Sequence, residues 1–124
     1  MEFPKELKYS KDHEWLRVEG KNAIIGITEF AQGELGDIVF VILPDVDKEF
    51  TEGTPVAELE ATKTVAEVYA PFDCKITEVN PSLDAHPELI NSDPLGEGWM
   101  LKATIKNYYE KGMTEVEYLK SIDS

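Results

Sequence analysis

The stretch best suited to chemistry is 52–75, EGTPVAELEATKTVAEVYAPFDCK, where two apolar-rich arms meet at a polar tip of Ala61, Thr62, Lys63 and Thr64. A lysine at such a tip is ordinarily a solvated charge. Its neighbours here are small, however, and leave the amine open to a modifying enzyme. Acylation there would form an amide, remove the charge and lengthen a flexible four-carbon stem into a tether. A lysine used in that way is a carrier and not a catalyst.

Other residues that could do chemistry fall short on spacing. The chain has two histidines and one cysteine. His13 stands between Asp12 and Glu14 and reads as a strand-end residue, and His86 precedes Pro87 in a loop. Ser10, Asp12 and His13 supply the residue types of a nucleophile relay, but neighbours along a strand point apart, and the roles need geometry. Asp45, Asp47 and Glu49 have the spacing of the first calcium-loop ligands. The loop would then need Gly and Glu where Phe50 and Val56 stand, so that reading fails. Gly33 and Gly36 fit neither nucleotide-binding signature and read as turn punctuation. Cys74 reads as a small strand-end side chain, and Trp15 and Trp99 as core aromatics.

The elements that must hold the lysine follow from periodicity. Pro55 and Pro71 lie eight residues either side of Lys63 and bound a hairpin over about 54–72. Ala57, Leu59 and Ala61 on one arm and Ala66, Val68 and Ala70 on the other form period-two apolar faces; Glu58, Glu60, Val65, Glu67 and Tyr69 take the opposite faces. Without an Asn-Gly or Gly-Gly pair, the tip calls for a loop longer than two residues, built on a type I turn. Segments 14–19 (EWLRVE) and 23–27 (AIIGI) pair across 20–22. Thr28 caps a single helical turn, 29–32, closed by Gly33. The run 38–43 (IVFVIL) predicts a strand buried on both faces, ended by Pro44. Segment 75–79 and the alternating 99–105, with Trp99, Leu101, Ala103 and Ile105 inward, are further strands, and Pro87 starts a brief helical turn. Thr114 and Glu117 form a capping box with Met113 as staple, opening a C-terminal helix over about 114–122 whose apolar face is Val116, Leu119 and Ile122.

Many short strands with one convincing helix predict a mainly β chain, a small sandwich or barrel. A chain of 124 residues suffices for one domain, 1–124, without a disulfide or metal staple. Twenty-five acidic against twelve basic residues give a net charge of −13, which repels nucleic acid and favours basic docking patches on partner proteins. The N-terminus lacks the apolar core of a signal peptide, and no apolar run is long enough to span a membrane. The expectation is a cytoplasmic monomer.

At the tip, Glu60-Ala61-Thr62-Lys63-Thr64 resembles the E-S-V-K-A stretch around the lipoylated lysine of glycine cleavage system H proteins. KYSKDHEW (8–15), GITEFAQGELGDIVFVILP (26–44), EVN (78–80) and LINSDPLGEGWMLK (89–102) are similar to that family's blocks and follow in its order, so the resemblance covers residues 8–105. GITxxAQxxLGD and GEGW are its most specific parts. Cys74 and Asp47 depart from it, standing where glycine is usual. The resemblance implies the lipoyl/biotinyl-type hybrid sandwich, or flattened barrel, with short helices and the modified hairpin at one end. It implies lipoic acid in amide linkage to Lys63, accepting the aminomethyl group of glycine from the pyridoxal-phosphate glycine decarboxylase. The folate-dependent aminomethyltransferase then takes that group, dihydrolipoamide dehydrogenase reoxidises the dithiol, and a lipoyl ligase or transferase attaches the arm. From position and charge, Glu14 of the HEW block and Glu67 are expected to reach the amine of the loaded arm. Two rivals remain: a lipoyl module serving a 2-oxo acid dehydrogenase or a lipoate relay, and an unmodified acidic β-sandwich adaptor.

Overall fold

The computed structural model describes residues 3–106 and 112–123, so the two ends of the expected 1–124 unit and residues 107–111 lie outside the described residues. Its strands are β1 (Lys8–Tyr9), β2 (Glu14–Glu19), β3 (Asn22–Ile27), β4 (Ile38–Ile42), β5 (Glu49–Phe50), β6 (Pro55–Ala61), β7 (Val65–Tyr69), β8 (Cys74–Val79) and β9 (Leu101–Ile105). The helices are α1 (Glu29–Leu35), α2 (Ser82–Ala85), α3 (Leu89–Ser92) and α4 (Glu115–Asp123). Two antiparallel sheets form, ordered β1-β2-β3-β9-β8-β5 and β4-β6-β7. Both end in edge strands, so the architecture is the sandwich form and not a closed barrel. No described helix is long and apolar enough to cross a membrane.

The faces predicted for the hairpin meet the core. Ala57, Leu59, Val68 and Ala70 are buried and join Leu16 and Ile25 of β2 and β3 and Ile76 and Leu101 of β8 and β9 in one aliphatic cluster between the sheets. Burying a side chain such as Leu59 contributes roughly 1.5–3 kcal/mol. A second, aromatic cluster of Leu7, Tyr9, Trp15 and Tyr118 lies apart from it. Trp15 is opposite Gly26 across β2 and β3, and a Cβ on Gly26 would come within 2.6 Å of the indole. The indole N–H donates to the Pro94 carbonyl at 2.9 Å. Trp99 is only half-buried at the margin of this cluster, with the Lys102 ammonium 5.0 Å from its ring centroid.

Four expectations need correction. β4 is not buried on both faces: Ile38 and Val41 are buried, but Val39, Phe40 and Ile42 are exposed. A register shift between Ile38 and Phe40 breaks the alternation, and β4 is an edge strand. Helix α1 runs past Gly33 to Leu35, because Ala31 and Leu35 pack on the core while Gly33 faces open space; Gly36 (φ +82°) is the residue that ends it. In α4 the buried residue is Tyr118, whereas Val116 and Leu119 are exposed. The expected capping box is present, Thr114 N–H donating to Glu117 Oε1 at 3.0 Å and Glu117 N–H to Thr114 Oγ1 at 3.2 Å. His13 is not an extended strand-end residue; it has φ +64° just before β2.

The two departures from the family pattern find different explanations. Asp47 has φ +75°, a left-handed conformation that Asp tolerates better than most residues. Cys74 is buried in β8, paired with Phe50 and Ile105, and burial pushes its thiol up to about 11.

Candidate functional site

β6 and β7 pair in register Leu59 to Ala66 and Glu60 to Val65, leaving Thr62, Lys63 and Thr64 as the connecting loop. The Ala61 N–H donates to the Thr64 carbonyl at 2.9 Å and closes it. The Thr62 N–H donates to the Asp37 carbonyl at 3.0 Å, which ties the tip to the chain just after α1. Lys63 is exposed, and its aliphatic stem passes over Gly36. A Cβ there would lie 3.4 Å from Lys63 Cδ and Cε and 3.2 Å from Thr62 Oγ1, so the glycine serves both the helix end and the seat of the lysine.

Beside this hairpin is a cleft of about 360 Å³ with three walls. The turn into β2 supplies Asp12, His13 and Glu14; α1 supplies Phe30, Ala31, Glu34 and Leu35; β7 supplies Ala66, Glu67 and Val68. The fold thus brings Glu14 and Glu67, distant in sequence, to one cleft. Lys63 is not part of its wall, and any group it carries would have to enter from the tip.

The carboxyl groups around the cleft are not equivalent. Asp12, Glu34 and Glu67 are exposed, whereas Glu14 is only 1% exposed. Burial raises the Glu14 pKa to about 8; a hydrogen bond from Ser10 opposes this, Asp12 adds to it and the Tyr69 backbone amide opposes it weakly. The Ser10 hydroxyl donates to Glu14 Oε1 at 2.8 Å, while Oε2 is buried without a hydrogen bond among the described residues. Ser10 is therefore spent on Glu14 and not on His13, so the three relay residue types do not assemble.

His13 instead has Nδ1 2.9 Å from the Tyr118 hydroxyl and its ring 5.1 Å from that of Phe30. Tyr118 also meets Thr28 Oγ1 at 2.7 Å, and Thr28 caps α1 by accepting from the Ala31 N–H. Tyr118 is missed by a period-three reading of α4, yet Glu115, Tyr118 and Ile122 follow the i, i+3, i+7 spacing of a packed helix face. Among the described residues His86 pairs with exposed Glu88, and no set of three His, Cys, Asp or Glu side chains could hold a metal. The arrangement suits a cation on an apolar tether: carboxyl oxygens ring a partly apolar floor, and one of them is buried with no partner of its own.

A family model described as glycine cleavage H-protein matches residues 7–124. The chain is 48% identical over 120 residues to the glycine cleavage system H protein of Herpetosiphon aurantiacus, covering 97% of this chain and 93% of the relative. It is 48% identical over 124 residues to the H protein of Staphylococcus saprophyticus, covering 98% of each. The crystal structure of a glycine cleavage system H protein from Mycobacterium marinum superposes with a TM-score of 0.91 at 34% identity, over 98% of this chain and 100% of that one. With the family model spanning nearly the whole sequence and the fold matching to this degree, the chain belongs to the glycine cleavage H-protein family.

Proposed function

We propose that Lys63 carries a lipoyl group in amide linkage and that the chain is the non-catalytic aminomethyl carrier of the glycine cleavage system. The observation that carries this reading is the pairing of an exposed hairpin lysine with an adjacent carboxyl-lined cleft. The residues fit the group on two counts. Gly36 leaves room for the lysine stem at the mouth, and Glu14 Oε2 is a buried polar atom in want of a partner. Held at Lys63, a dithiolane would supply the sulfur chemistry for accepting an aminomethyl group from the glycine decarboxylase and giving it up to the aminomethyltransferase, with dihydrolipoamide dehydrogenase as the oxidant that restores it.

The chain's own task is presentation and shelter. Thr62 and Thr64 keep the attachment point accessible to a lipoyl ligase or transferase. Glu14 and Glu67 accept hydrogen bonds from the ammonium, and Phe30, Leu35 and Val68 exclude water around it. The acidic surface steers the carrier toward basic patches on its partner enzymes. Buried, unpaired Cys74 suits a reducing compartment, and we read the carrier as a cytoplasmic monomer.

Incubation with a lipoyl ligase and lipoate, followed by intact mass and peptide mapping, tests the attachment. One lipoyl increment on Lys63, absent from Lys63→Arg, is expected; no increment, or one on another lysine, overturns it. For the cleft, Glu14→Gln and Glu67→Gln should each release methylamine sooner from the loaded carrier. Unchanged lifetimes in both would remove these residues from the arm.

A further inference from the structure

Three hydroxyl and imidazole groups behind the cleft form a chain whose proton positions can be deduced by counting. Tyr118 is fully buried, stacked on Tyr9 with ring centroids 5.0 Å apart, and its hydroxyl touches both Thr28 Oγ1 and His13 Nδ1. Thr28 is 1% exposed, and its Oγ1 already accepts from the Ala31 N–H. If Tyr118 donated to Thr28, the Thr28 proton would be a buried donor with no acceptor among the described residues. The arrangement that satisfies every group runs the other way. Thr28 donates to the tyrosine oxygen, and Tyr118 donates to His13 Nδ1. His13 Nδ1 is then an acceptor, and the ring's remaining nitrogen bears the proton.

We propose that Tyr118 is a positioning residue that fixes His13, which lines the cleft, as its Nε2–H tautomer and so gives the carboxyl-rich cleft an N–H donor for the sulfur of a tethered arm. The proposal rests on the lipoyl-carrier reading for its ligand, but not for its tautomer. An ionised carboxylate accepts from an ammonium but has no proton to offer a sulfur lone pair; a neutral imidazole has one, on the nitrogen that Tyr118 leaves free. The left-handed backbone of His13 and its contact with Phe30 fix where the ring sits, and Tyr118 fixes which edge is turned toward α4. The C-terminal helix thereby acts on the cleft without lining it.

The test begins on the unmodified full-length chain. With only two histidines, imidazole nitrogen NMR at a pH where the rings are neutral assigns each one, using His86→Asn to identify the other. His13 is expected to show the Nε2–H pattern in the parent, shifting toward a tautomer mixture in Tyr118→Phe. An Nδ1–H pattern in the parent, or an unchanged His13 spectrum in Tyr118→Phe, overturns the proposal; the first needs no variant to fold. On the lipoylated, methylamine-loaded carrier, Tyr118→Phe and His13→Asn should shorten the lifetime by similar factors, about two- to tenfold. Asn tolerates the left-handed backbone at this position. The double variant should do no worse than His13→Asn alone, and an unchanged lifetime in both single variants overturns the assignment of the donor to sulfur. Failure of Lys63 to accept lipoate would sink the carrier reading while leaving the tautomer result standing.

Discussion

On the β2 side of the cleft the polar groups are held by protein. Glu14 is buried and bonded to Ser10, and His13 and Thr28 are joined through Tyr118 to the aromatic cluster. On the hairpin side Lys63 at the tip and Glu67 along β7 face water, while the inner face of the hairpin is packed on the core. One wall is therefore fixed by the protein and the other open to water, and substitutions on the two should be felt in different measurements. Changes behind β2 should alter stability and its pH dependence, while changes at exposed Lys63 and Glu67 should leave stability nearly untouched and act on whatever group the lysine carries.

The largest separation should come from Trp15→Ala. Loss of the buried indole and of its bond to Pro94 is expected to cost about 3–5 kcal/mol in urea denaturation. A loss below about 1 kcal/mol would mean that the aromatic cluster does not support the β2 wall. Next comes the pH dependence set by Glu14. Its folded pKa of about 8 lies above the ordinary carboxyl value of 4.5, so the folded state holds a proton that the unfolded state has released across that interval. The contribution is complete below pH 4.5, is lost as pH rises toward 8 at up to about 1.4 kcal/mol per pH unit, and changes no further above that. Glu14→Gln should flatten this slope between pH 5 and 8, and an identical slope in the two proteins would show that the carboxyl is not held neutral by burial. The smallest effect should be that of Glu67→Gln, within about 0.5 kcal/mol at any of these pH values. A larger loss would place Glu67 in the scaffold and blur the contrast between the walls.

How much of this can be read from sequence depends on whether a residue's role is local. The hairpin faces around Lys63 follow from period two, and the capping box of Thr114 and Glu117 from a four-residue pattern, so both are legible. The exposure of Val39 and Phe40 is not, because a register shift leaves no mark in an unbroken apolar run. The face of α4 is misread for a related reason. Val116 and Leu119 look like the buried pair, but tertiary partners, the Tyr9 ring and the Thr28 and His13 side chains, hold Tyr118 inward. Lys63 itself has no signal in composition or spacing beyond its exposed tip; the blocks around it, compared with a family, single it out. Convergence of Glu14 and Glu67 on one cleft is a product of tertiary structure, and sequence could suggest it only through charge and resemblance. The left-handed backbone of Asp47 is a middle case, since a glycine-favoured position held by aspartate can be suspected from the family pattern but is established by its dihedral angle.

Cys74 carries a consequence for a protein whose proposed cargo attachment contains a disulfide. Exchange requires a thiolate with access to the sulfur it attacks, and a thiol pushed up to about 11 is ionised in only about one molecule in ten thousand at neutral pH. Enclosed in β8, with Phe50 and Ile105 beside it, that thiol is also out of reach of a surface arm. On the proposed function, the chain can thus keep its only cysteine without short-circuiting an oxidised arm into a mixed disulfide with itself.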